Sequence, residues 1–182
     1  MKRQNYLIVS LFILASILFS NQTLVGCAPK TKSIGIQLYS VRDAMNEKPT
    51  ETLAQLGEIG FRHVEAAGYA DGMFYGMEPE AFRDLVQKNG MEFLASHTGR
   101  DIPDSIQWDE TMAWWDACID AHKRAGVQFI VQPWMGQVGY QSLDGLKRAC
   151  DYFNQVGAKC HAQGIRFGYH NHDKEFGLTA DS

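Results

Sequence analysis

The chain has no Cys-x-x-Cys pair among its four cysteines, so nothing in it demands a disulfide or a redox pair. Cys150 and Cys160 fall in one predicted helix, about 15 Å apart at ~1.5 Å per residue, too far apart to bridge. Cys118, Cys150 and Cys160 read as small apolar residues. No apolar run reaches the ~20 residues of a membrane-spanning helix. The longest, Tyr6 to Ser20, has 15 residues. There is no excess of positive charge either: the net charge is −4, which argues against a nucleic-acid partner. No linker, low-complexity tract or second domain is visible. At 182 residues the chain can bury a real core, yet it falls short of the ~250 residues typical of a closed eight-stranded barrel.

What is present begins with a leader. Lys2 and Arg3 precede the 15-residue apolar stretch, the pattern of a signal peptide. Leu24-Val25-Gly26-Cys27 follows and resembles the bacterial lipobox, in which cleavage frees a cysteine for lipidation. Residues 1–26 are therefore read as signal peptide, 27–32 as tether and 33–182 as the domain. Cleavage removes two basic residues, leaving 15 against 21 acidic ones and a net charge of −6. Such a domain is expected to be exported and periplasm-facing. Its contact with membrane would run through the lipid on Cys27 only, at ~0.8 kcal/mol per buried methylene.

Four passages share one pattern: Gly60-Phe-Arg-His-Val-Glu65, Gly90-Met-Glu-Phe-Leu-Ala-Ser-His97, Gly126-Val-Gln-Phe-Ile-Val-Gln132 and Gly164-Ile-Arg-Phe-Gly-Tyr-His-Asn-His172. In each a helix-like segment ends at glycine, a short apolar run follows, and polar residues close it. The glycines lie 30, 36 and 38 residues apart, the length of a helix, a strand and two loops. Runs this short suit buried parallel strands. Ile34, Ile36 and Leu38 alternate in an earlier first strand, so five strands and four full helices are expected. The helices run from a Thr50 cap to Gly60, from Glu78-Pro79-Glu80 to Gly90, from Asp109 to Ala125 and from a Ser142 cap to Gln163. Phe82, Leu85 and Val86 point inward on the second, and Met112, Trp115, Cys118 and Ile119 share a side of the third. Of the adjacent pair Trp114 and Trp115, the first is expected in the core and the second at the surface. Gly68 to Met77, Arg100 to Trp108 and Met135 to Gln141 are expected loops. This is βα repetition, an α/β fold with a parallel sheet, either a barrel or open.

Parallel α/β folds place their chemistry at the carboxyl ends of their strands. Those ends carry Glu65, His97, Gln132, His170 and His172. On an extended strand His170 and His172 share a face. With Glu175 three residues on they could hold a divalent metal, or they could be a hydrogen-bonded structural pair. Glu65 could bind sugar hydroxyls, act as a base, or pair with Arg62 or Arg42. His97 could be structural or catalytic. Gln37 and Tyr39 could bind substrate or fill the mouth of the fold. Trp134, Phe74 and Tyr75 could form a flat wall against a sugar ring, or simply pack.

Gly35-Ile-Gln-Leu-Tyr-Ser-Val-Arg-Asp43, Ile59-Gly-Phe-Arg-His-Val-Glu-Ala-Ala-Gly68, Ser96-His97 and Tyr169-His-Asn-His-Asp-Lys-Glu-Phe176 together resemble the xylose isomerase-like TIM-barrel superfamily. The nearest group is the sugar phosphate isomerases/epimerases. The resemblance runs from Ser33 to Phe176. It implies a (β/α)₈ barrel, of which about five βα units are present here, either as part of a longer chain or as a natural truncation. It also implies isomerisation, epimerisation or elimination beside a sugar carbonyl, with Mn, Mg, Co or Zn at the mouth. Many members carry Glu-Asn-His at the end of strand five, where this chain reads His170-Asn171-His172. On that resemblance His170, His172 and Glu175 would hold the metal and Glu175 and His172 would be catalytic. Gln37, Tyr39, Glu65, His97, Gln132 and Trp134 would bind substrate. No basic phosphate cradle is evident, so an unphosphorylated sugar or keto-sugar is expected. The rivals are a non-catalytic carbohydrate-binding lipoprotein, an inactive fragment, and a nuclease, against which the negative charge argues.

Overall fold

The computed structural model describes residues 32–179. The leader, Cys27 and the tether as far as residue 31 lie outside the described residues. Strand β1 (Gly35–Gln37) runs through a 3₁₀ turn into helices α1 (Arg42–Glu47) and α2 (Pro49–Ile59). Then come β2 (His63–Ala66), a small hairpin of β3 (Tyr69–Ala70) and β4 (Met73–Phe74), and α3 (Pro79–Lys88). β5 (Glu92–His97), α4 (Trp108–Ala125) and β6 (Phe129–Gln132) follow. The remaining elements are α5 (Gly136–Gln141), α6 (Leu143–Ala162) and β7 (Arg166–Tyr169), before a last 3₁₀ turn (Lys174–Phe176).

Five strands form one sheet in the order β1-β2-β5-β6-β7, and every neighbouring pair is parallel. All five carboxyl ends therefore lie along one edge of the sheet. Gly60 and Gly126 end α2 and α4 with φ of 111° and 74°, the left-handed conformation that only glycine adopts cheaply. Ser142 caps α6 as expected, its hydroxyl accepting from the Gly145 N–H at 3.0 Å. Residues alternate across β2: Val64 and Ala66 are buried with Leu53, Phe82 and Phe93, while Glu65 faces the other way. A register shift between Val64 and Glu65 interrupts the pairing with β5, a device that re-aims side chains next to sites. A second cluster packs Trp115, Ile130, Tyr152 and Val156 between α4, β6 and α6.

The structure differs from the sequence reading at several places. Helix α2 starts at Pro49, so Thr50 lies inside its first turn and is not the cap. Gly68–Met77 contains the β3–β4 hairpin, and Met135–Gln141 is mostly helix α5. Phe74 is fully buried, with ring centroids 5.0 Å from Phe93 and 4.9 Å from His122. The Tyr75 hydroxyl accepts the Ala67 N–H at 3.0 Å. Neither ring is a sugar wall; both close the hairpin over the core. Trp115 is the buried member of its pair, and Trp114 is half-buried. Cys118 and Cys160 are buried as expected, but Cys150 is exposed, because it lies on the outer side of α6.

His122 on α4 is fully buried against Tyr69 and Phe74. Its Nδ1 lies 2.6 Å from the Cys118 carbonyl, and its Nε2 has no partner among the described residues. Burial pushes its pKa down to about 4, against a smaller upward pull from that carbonyl. The folded state thus keeps the ring neutral while the unfolded chain takes up a proton below pH ~6.5. Stability from this group is complete above pH ~6.5 and drains away as pH falls towards ~4. The expected loss between pH 7 and pH 5 is about 2 kcal/mol, read from urea midpoints. His122→Phe should flatten that part of the profile.

Candidate active site

The parallel register places Gln37 beside Glu65 at the ends of β1 and β2, and β5 delivers His97 next to them. The Gln37 amide nitrogen lies 2.6 Å from Glu65 Oε1 and 3.0 Å from His97 Nδ1. The amide donates to the carboxylate, and with the His97 proton on Nδ1, directed at the same Glu65 oxygen, Nε2 is the ring nitrogen left to accept a proton. Glu65 Oε1 and His97 Nδ1 are 3.5 Å apart. Burial raises the Glu65 pKa, but hydrogen bonds from His97 and Gln37 and the nearby His97 and His170 charges more than offset it, and the net shift is downward. Glu65 is therefore an anion at neutral pH, set behind an imidazole. It pairs with neither arginine considered from sequence: Arg42 reaches Asp43 and the Tyr39 carbonyl, and Arg62 reaches the Phe61 carbonyl.

The His97 ring is 5.0 Å from the His170 ring, edge to face, and the His170 ring is 4.7 Å from that of His172. All three imidazoles line one cavity of about 530 Å³ with Gln37, Tyr39 and Trp134. The expected common placement of His170 and His172 is thus met, just past the end of β7. Tyr69 and Trp114 add aromatic wall that sequence reasoning missed. Among the described residues, no lysine or arginine lines this cavity.

Two expected site residues are placed elsewhere. Gln132 is fully buried and cannot meet a substrate. Its Oε1 accepts the Arg100 N–H at 3.2 Å, and its Nε2 donates to the Arg100 and Trp134 carbonyls at 3.3 and 2.7 Å. It ties the loop after β5 to the loop after β6. Gly99 permits this, since a Cβ there would sit 1.9 Å from Gln132 Oε1. Glu175 is likewise occupied. It accepts from the hydroxyls of Tyr140, at 2.8 Å, and of Tyr169, and from the His172 N–H at 2.8 Å. Burial nudges its pKa upward, but the two tyrosines and the backbone bring it down to about 2. Glu175 holds the His172 backbone and does not face the cavity, so the set His170, His172 and Glu175 does not assemble. Tyr140 reaches Glu175 from helix α5, whose glycines give it the look of a loop in sequence.

Three imidazoles and a carboxylate are suitable donors for a divalent metal. Among the described residues, however, no group of three or more His, Cys, Asp or Glu is arranged to hold one. Gln37 occupies the space between Glu65 and His97 that an ion would need. The arrangement as it stands is one for proton transfer: an imidazole on a cavity wall, backed by an ionised carboxylate, with two more imidazoles beyond it.

Comparison with known proteins places these features in a family. A protein from Parabacteroides distasonis described as a sugar phosphate isomerase/epimerase is 27% identical, with a TM-score of 0.76, over 84% of this chain and 59% of its own. A second protein of that description from the same organism is 25% identical, with a TM-score of 0.73, over 85% and 56%. This chain thus spans less than three fifths of the length of either structure. A xylose isomerase-like TIM-barrel protein from Mycobacterium smegmatis, in complex with magnesium, is 16% identical with a TM-score of 0.53 over 76% and 55%, and shows the fold alone. No curated protein matches the chain. The family model described as xylose isomerase-like TIM barrel matches residues 53–182. With its parallel strands, its repeated βα units and its site at their carboxyl ends, the chain belongs to the xylose isomerase-like TIM-barrel family.

Proposed function

We propose that this chain carries the acid/base site of a sugar isomerase or epimerase acting beside the carbonyl of an unphosphorylated sugar or keto-sugar. One observation carries the reading: His97 faces a sugar-sized cavity with Gln37 beside it on the wall and Glu65 behind both. A monosaccharide of about twelve heavy atoms, at no more than the ~30 Å³ a water occupies, needs under ~360 Å³. The cavity's 530 Å³ accommodates it. The described lining residues include neither lysine nor arginine, which favours a neutral ligand over a phosphosugar, and the descriptions of the Parabacteroides proteins support the reaction class. The sequence before residue 32 supports export, with lipidation at Cys27 as the sole tie to membrane.

In this mechanism His97 takes the proton from the carbon next to the carbonyl. The C–H electron pair becomes the double bond of an enediol, and the carbonyl oxygen takes a proton from His170 or His172. Glu65 stabilises the imidazolium that forms on His97, and Gln37 fixes the ring plane. Return of the proton from His97 to the former carbonyl carbon, with the adjacent enediol hydroxyl giving its proton to the imidazole freed in the first step, isomerises the sugar; delivery of a proton to the original carbon from the opposite face by the other of His170 and His172, with the enediol oxygen giving its proton back, epimerises it. A divalent metal (Mn, Mg, Co or Zn) stays in the reading because three imidazoles and a carboxylate are suitable donors for one. The described residues present no complete site for it, so every step above belongs to a side chain of this chain.

The test is ¹H NMR of fructose, tagatose and psicose in D₂O with the full chain, with and without added divalent metal. Loss of the C–H signal beside the carbonyl is expected. Saturable sugar binding without deuterium incorporation would sink catalysis. It would favour the rival, a non-catalytic carbohydrate-binding protein on the same barrel, for which the fully occupied Glu175 is the specific support.

A further inference from the structure

A second cavity, of about 350 Å³, adjoins the first. It lies between the loop after β5 and the start of α4. Gly99 and Trp134 line both cavities. Trp134 is 38% exposed, and its indole N–H donates to Asp101, another residue of the second cavity. The walls special to the second cavity are mostly polar. Arg100 Nη2 donates to Glu110 Oε1 at 3.1 Å, and the guanidinium carbon lies 5.5 Å from the centre of the Trp114 ring, which lines the first cavity. Asp101, Gln107, Glu110 and Thr111 complete the polar set, with Ile102 and Pro103 beside them.

The charges decide what this space suits. One arginine faces two carboxylates, so the cavity is not built for a phosphate or a carboxylate ligand. Fixed donors and acceptors beside an indole ring are what a sugar ring needs: hydroxyls for the polar groups and a C–H face for the aromatic one. The first cavity alone has room for a monosaccharide, and the second is surplus to that requirement. We infer that Trp134 separates two sugar subsites, and that the ligand is a disaccharide or glycoside whose second ring occupies the Arg100–Asp101–Glu110 cavity. The inference rests on the sugar reading of the first cavity. It adds that the substrate carries a glycosidic extension, and that the wall formed by Trp134 and Arg100 selects for it.

The test is calorimetric titration of the full chain with matched ligands: glucose against cellobiose and maltose, and galactose against lactose. At least one disaccharide is expected to bind about tenfold tighter than its monosaccharide. Gln107→Trp, which fills only the second cavity from an exposed position, should erase that gain and leave monosaccharide affinity within about twofold. Glu110→Ala, which removes a polar wall without filling space, should reduce it. Monosaccharide binding with no gain for any disaccharide would overturn the second subsite and leave the sugar reading standing. So would a gain that survives both variants. Absence of binding by sugars of either size would overturn both readings together.

Discussion

His97→Gln is expected to lower sugar-dependent deuterium incorporation by ~10²–10⁴-fold, the usual contribution of a positioned acid/base group. Glutamine can still hydrogen-bond Gln37 and fills much the same space, so the fold should persist. Glu65→Gln makes a different prediction, because Glu65 acts through His97 and is a positioning residue. Its loss should lower kcat by about 10–100-fold with little change in KM. Glu65→Asp should recover part of the rate if it keeps the Gln37 contact. The pH dependence separates this from a structural effect. The Glu65 pKa is held down by His97 and Gln37 against burial, so its carboxylate should be lost only below the ordinary glutamate range. The acid limb of the rate should therefore change in Glu65→Gln while thermal stability near neutral pH is nearly unchanged. Equal loss of kcat and stability in both variants would remove the acid/base assignment.

Trp115→Ala is expected to cost the fold about 3–5 kcal/mol, the range for deleting a buried large aromatic side chain. Trp115 is fully buried and does more than fill space. Its indole N–H donates to the Tyr152 hydroxyl at 2.6 Å, and that hydroxyl donates to the Arg100 carbonyl at 3.3 Å. This chain runs from the core between α4 and α6 to the loop that forms the cavity walls. Tyr152→Phe should cost about 1–3 kcal/mol, because it strands a buried indole N–H. Trp115→Phe with Tyr152→Phe should cost less than the two single changes added, since the second change removes a group already without its partner. Chemical denaturation of the four proteins is the measurement. Strict additivity would mean the hydrogen bond contributes little and packing alone sets the cost.

The parts of this fold legible in sequence were those set by local chemistry. Gly60, Gly90, Gly126 and Gly164 all have positive φ, and each precedes a strand of the sheet, so glycine spacing reported the repeat directly. His170 and His172 share a cavity as expected. The misplaced residues share one cause. A polar residue at a strand's carboxyl end, or in the segment just beyond it, can face the cavity or turn away from it, and only the path of the chain there decides. Gln132 turned under, to satisfy the Arg100 and Trp134 backbone. Glu175 turned towards Tyr140 and Tyr169, one of them on a helix whose Gly136 and Gly139 disguised it as loop. Trp115 was misassigned although Cys118 and Ile119, three and four residues on, stood on its face. The clue to Gln132 was Gly99, a glycine directly after Thr98 with no turn to explain it.

The fit of Gly99 under Gln132 restricts how this chain can change. A methyl at position 99 is blocked while glutamine stays at 132, and shortening residue 132 first leaves the Arg100 backbone groups without partners. Each single step is unfavourable, whereas a paired replacement could restore a buried contact of another kind. Positions 99 and 132 should therefore vary together among descendants of this sequence, and drift at one should be held back by the other.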